Sequence, residues 1–158
     1  MQSHLISYQG SSVHTFKFKV DSSILLEGVE MCISNGPTEL LLRVSECRQF
    51  YQRPLQCLGR VFKAEANRDR SVGLHRSVHV SFQESIVMKS DRLYAVHATL
   101  KGSDFHPQIR RYRDHLSFDG MCLSIPQKSP DDFENAIFTA ISFRNMHNAI
   151  RRKIPVTF

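Results

Sequence analysis

The chain has 158 residues, 41% hydrophobic and 23% charged, with 21 Lys and Arg against 15 Asp and Glu for a formal charge of +6. That composition belongs to a globular chain long enough to bury about two-thirds of its unfolded surface. The longest apolar run, Leu93–Val96, falls far short of the roughly 20 residues of a spanning helix. The opening MQSHLISYQGSS has neither a basic start nor a hydrophobic stretch, so no membrane span and no secretory signal are expected.

Period-two alternation dominates the chain. HTFKFKV sends Phe16, Phe18 and Val20 to one side and leaves Lys17 and Lys19 wet. After the breaker DSS, ILLEGVEMCIS reads as a second strand, with Gly28 as a bulge or close-packing point. NGPTE is turn chemistry, and LLLRVSEC after it predicts a hairpin with the preceding strand. From Arg48 to Arg76 the pattern blurs, and a short helical turn is expected near Arg60–Ala66. SVHVSF and SIVMKSD restore strand character up to a turn at Ser90–Asp91.

YAVHATLKG follows, with Tyr94, Val96, Ala98 and Leu100 on one face and Ala95, His97, Thr99 and Lys101 on the other. HLSFDGMCLSI predicts a strand broken by a turn at Asp119–Gly120, and PQKSPDDFEN a loop. In AIFTAISF, Ile137, Thr139, Ile141 and Phe143 are expected to face one way and Ala136, Phe138 and Ala140 the other. KIPVTF closes the chain. Eight to ten short strands with little helix predict an all-β, antiparallel β-sandwich. The expected organisation is a single domain over 1–158, with residues 1–7 as a flexible lead-in.

Chemistry is sparse. No phosphate-binding, nucleophile-elbow or metalloprotease motif occurs. Cys32, Cys47, Cys57 and Cys122 form no C-x-x-C pair, and without export they are expected to be reduced, buried thiols of a cytoplasmic protein, with the nucleus as the second choice. His79 and His97 could share a face and, with Asp104 or Glu84, suggest a metal or a general base. The plainer reading is that solvent-facing strand positions accept histidine freely. No enzyme, cofactor or metal is expected.

The positive charge is clustered in KGSDFHPQIRRYRDH and RNMHNAIRRK. Arg110, Arg111, Tyr112, Arg113, Arg151 and Arg152 are therefore the candidate partner-binding residues, since arginine and tyrosine dominate protein hot spots and also grip phosphates and bases. An anionic partner is implied, either an acidic protein or nucleic acid. A glycan-binding sandwich is disfavoured because no Trp is present to stack on a sugar.

Four segments carry a family resemblance. FKFKVDSSILLEG, NGPTELLLRV, HVSFQESIVMKSDRLYAVHATLKGSDFH and KIPVTF resemble, in order and spacing, the PHR domain of the Pam–Highwire ubiquitin ligases, most closely the version ending BTB–BACK–PHR proteins. The departures lie in loops, where PQIRRYRDH and NMHNAIRRK replace the family's turns. The resemblance implies a β-sandwich that recognises a protein partner or substrate. It also implies a link to cullin-based ubiquitin ligase machinery through a BTB region, for which these 158 residues have no room. An excised domain, or a free-standing competitor for a shared target, is the corresponding expectation.

Overall fold

The structure, a computed structural model, describes residues 11–34, 37–47, 52–61, 75–102, 111–126, 137–147 and 149–158. Ten strands are described: β1 (Ser11–Val20), β2 (Ile24–Ser34), β3 (Pro37–Cys47), β4 (Gln52–Val61), β5 (His75–Met88), β6 (Leu93–Gly102), β7 (His115–Phe118), β8 (Met121–Ser124), β9 (Phe138–Asn145) and β10 (Arg151–Pro155). They form a six-stranded sheet in the order β4-β3-β6-β1-β8-β7 and a four-stranded sheet in the order β10-β9-β2-β5. The result is the expected all-β sandwich of two antiparallel sheets.

Alternation does what the sequence asks of it in β1 and β6. Phe16, Phe18 and Val20 are fully buried, and so are Val96 opposite Phe16 and, all but its edge, Tyr94 opposite Phe18, while Lys19 and Lys101 stay exposed. The inner faces meet through an aromatic cluster. Phe16 lies 5.3 Å from Phe18, 4.9 Å from Tyr112 and 5.8 Å from Phe138, measured between ring centroids. Offset rings at such spacings add to the burial that holds the layers together.

Gly28 meets its expectation as a close-packing point. The β2–β5 register passes from Leu26 opposite Ile86 to Gly28 opposite Ser81. A Cβ on Gly28 would stand 2.5 Å from the Val80 carbonyl oxygen. The turn at Asp119–Gly120 is also as expected. Both residues have positive φ, 50° and 76°, which lets a two-residue loop follow the twist of β7 and β8.

Three expectations need correction. β2 and β3 do not form a hairpin: β2 pairs with β5 and β9, and β3 with β4 and β6, in the other sheet. The segment expected to begin a helical turn lies in β4 as far as Val61; residues 62–66 lie outside the described residues. In β9, Phe138 shares the core with Ile141 and Phe143, because the register slips between Met31 opposite Phe138 and Glu30 opposite Ala140. The extra residue, Thr139, reverses the alternation, which no periodicity in the sequence could announce.

Candidate functional site

The two arginine-rich segments do not gather at one place. Arg111–Arg113 run antiparallel to Val156–Phe158: the Arg113 amide donates to the Val156 carbonyl (2.9 Å), the Phe158 amide donates to the Arg111 carbonyl (3.1 Å), and Tyr112 bridges Thr157. Arg113 donates from Nε to the Thr157 carbonyl (3.3 Å), and its guanidinium lies 5.2 Å from the Phe158 ring centroid. Tyr112 is a core residue rather than a contact residue. It is buried against Phe16, and its hydroxyl accepts a hydrogen bond from the Phe138 amide at 3.4 Å. Burial pushes its phenol well above the ordinary range. Arg110 lies outside the described residues.

Arg151 and Arg152 begin β10, five to six residues before Thr157, which places them roughly 16–20 Å away along the strand. Arg152 reaches the β7–β8 turn and grips the Asp119 carboxylate with Nε at 2.6 Å and Nη2 at 3.3 Å. Arg151 shares Glu27 with Arg144, each with Nε at 3.4 Å from a carboxylate oxygen. Lys153 pairs with Glu30, which also accepts from Ser77, and these contacts hold the Glu30 carboxyl below its usual range. The outer face of the four-stranded sheet is thus laced with ion pairs of both signs.

The outer face of the six-stranded sheet is built otherwise. Among its described side chains are Lys17, Lys19, Arg43 and Lys101, with Glu39 near the start of β3, while Glu46 of the same strand lies opposite the core residue Tyr94. Both acids are engaged: Glu39 with Lys101 at 3.3 Å, and Glu46, buried beside Tyr94, with Arg92 at 3.2 Å. At the centre of the face, β6 places His97 between Thr15 of β1 and Arg43 of β3. The imidazole is fixed at both nitrogens, Nδ1 lying 3.0 Å from the Thr15 hydroxyl and Nε2 3.1 Å from that of Ser45. Burial first, then the charges of Arg43 and Lys17, hold its pKa below the usual histidine range.

His79 lies in the other sheet, opposite Glu30, so the histidine pair considered from the sequence does not assemble. Cys32, Cys47 and Cys122 are half-buried thiols, less enclosed than expected. At one end of the sandwich an open groove of about 660 Å³ runs between turns, with Val87 and Met146 exposed beside Lys89, Arg92 and Asp21. Sequence reasoning read Lys17 as an ordinary wet strand position and did not single out Arg43. The available signal was the scarcity of Asp and Glu across six strands.

A two-sheet antiparallel sandwich presents loops at its ends, where such folds carry their binding residues. The chain belongs to the PHR domain family, whose profile matches residues 2–107, and is a protein-interaction module of the Pam–Highwire kind. No curated protein matches the sequence. The matched span covers β1–β6, whereas β9 lies between β10 and β2, so the segment beyond residue 107, KIPVTF included, completes the sheets.

Proposed function

We propose that this domain is a non-catalytic recognition module that holds a protein partner or substrate for a BTB-type cullin ubiquitin ligase adaptor, in the cytoplasm. Membership of the PHR family carries the reading. The surplus of positive charge supports an acidic protein as the partner, because complementary potentials steer encounter and fix orientation. Of the six arginine-segment residues, Arg111, Arg151 and Arg152 are exposed and remain the contacts this reading uses. Tyr112 and Arg113 serve the fold.

The test is affinity capture from cell extract, followed by direct titration of the captured protein against wild-type domain, Arg111→Glu and Arg152→Glu. Both variants are expected to bind several-fold more weakly, with a shallower salt dependence and unchanged folding. Unchanged affinity in both would remove the arginines from the contact. Capture of nucleic acid instead, with log K falling linearly in log salt, would replace the protein-partner reading.

A further inference from the structure

We infer that the outer face of the six-stranded sheet, centred on Lys17, Arg43 and His97, is a docking surface for an acidic segment of a protein partner. The inference rests on the recognition reading and deepens it by naming the surface and the chemistry of what it takes. Register brings the parts together. Thr15, His97 and Arg43 lie side by side across β1, β6 and β3, and Lys17, Ala95 and Ser45 form the next row. Three neighbouring strands span about 10 Å, so Lys17 and Arg43 frame a patch about the width of one extended peptide.

The floor of that patch is small and pre-arranged. Ala95 and Ser45 are buried and Thr15 is exposed. His97 is clamped between two hydroxyls and cannot swing out to claim a ligand. Its rim is positive: Lys19, Arg43 and Lys101 are exposed and Lys17 half-buried. The one acid on this outer face among the described side chains is Glu39, beside Lys101 at the far end of β3. A guanidinium receives a carboxylate in bidentate fashion, and lysines supply point charges around it.

A nucleic acid would want aromatic platforms for its bases. The outward positions of β1, β3 and β6 hold no aromatic side chain, their Phe and Tyr residues all lying in the core. An acidic peptide needs none. The opposite face offers no equivalent, since Glu27 and Glu30 stand among its cations.

The probe is a fluorescein-labelled decapeptide of alternating Asp and Glu, titrated by anisotropy at 50 and 300 mM salt. A twenty-nucleotide single-stranded DNA is run alongside. Wild-type domain is expected to bind the peptide at low salt, Lys17→Glu/Arg43→Glu at least tenfold more weakly, and Lys17→Gln/Arg43→Gln to an intermediate degree. Ser77→Glu/Ser81→Glu, at exposed positions of the other face, should stay within about twofold. No peptide binding by folded wild-type domain, equal binding by Lys17→Glu/Arg43→Glu and Ser77→Glu/Ser81→Glu, or binding of the DNA but not the peptide through Lys17 and Arg43 would each overturn the inference. A partner captured equally by wild-type domain and Lys17→Glu/Arg43→Glu would also sink it while leaving the recognition reading standing. Failure to capture any partner would instead strike the reading itself.

Discussion

The two outer faces of the sandwich are made from similar sheets and carry opposite electrostatic designs. On the four-stranded side, β2 sets Glu27 and Glu30 among Arg144, Arg151 and Lys153, and each acid answers cations from its neighbours. On the six-stranded side the central strands contribute Lys17, Arg43 and a clamped neutral histidine, and the acids are relegated to the margins. Ion pairs on an exposed face add little stability, about 0–1 kcal/mol each, so neither design is explained by folding. What differs is the field each face presents to an approaching molecule. A face with acids set among its cations presents a mixed field, and a face whose acid stands at its margin presents a positive one.

That contrast presumes one rigid core beneath both faces, and the largest predicted effect tests it. Tyr112→Ala should cost about 3–5 kcal/mol in denaturant unfolding, because the ring fills the space beside Phe16. Tyr112→Phe should cost only about 1 kcal/mol, the worth of the hydroxyl's hydrogen bond. If Tyr112→Ala were neutral for stability yet harmful to binding, the arginine-rich segment would be a contact loop after all.

Two histidines of the six-stranded sheet, His14 half-buried and His97 buried, sharpen the comparison next. His14 lies on the core side of β1, and burial lowers its pKa from 6.5 to about 4. The unfolded chain therefore takes up the proton first. His14 contributes its full share of stability above about pH 6.5, and that share is lost as pH falls towards 4, roughly 3 kcal/mol in all. His97, lowered by burial and by Arg43 and Lys17, acts in the same direction. Unfolding curves between pH 7 and 4 should show the loss, and His14→Gln should flatten most of it. An unaltered slope in His14→Gln would place the titrating group elsewhere.

Gly28→Ala should destabilise by about 1–3 kcal/mol, since the new methyl meets a backbone oxygen that cannot step aside. Thermal melts would register it as a drop of several degrees, and an unchanged melt would deny the close approach of β2 to β5. The smallest effect belongs to the faces themselves. Lys17→Glu/Arg43→Glu should change unfolding free energy by no more than about 0.5 kcal/mol, whatever it does to binding. A large loss there would make the six-stranded face structural rather than functional.

Much of this architecture could be read from residue order. Alternation in β1 and β6 placed Phe16, Phe18, Tyr94 and Val96 inward and Lys17, His97 and Lys101 outward, and the polar breaks at Asp21–Ser23 and Asp119–Gly120 marked their turns. Strand partnership was not legible, because β2 and β3 are neighbours in sequence and lie in different sheets. β4 escaped notice because QRPLQCLGRV carries Pro54, Gly59 and no clean period. Tyr112 looked like a contact residue because its flanking arginines are visible in the sequence, whereas Phe16 and Phe138 reach it only through the fold. The basic face was missed for a related reason: its cations come from separate strands that only the order β3-β6-β1 sets side by side.

The most direct test of the account sets the two candidate charge surfaces against each other in one binding experiment. Affinity of a captured protein partner is measured for Lys17→Glu/Arg43→Glu and for Arg111→Glu/Arg152→Glu under identical salt. The account predicts the greater loss, at least tenfold or about 1.4 kcal/mol, when the six-stranded face is reversed. Equal losses, or the greater loss at Arg111 and Arg152, would contradict it.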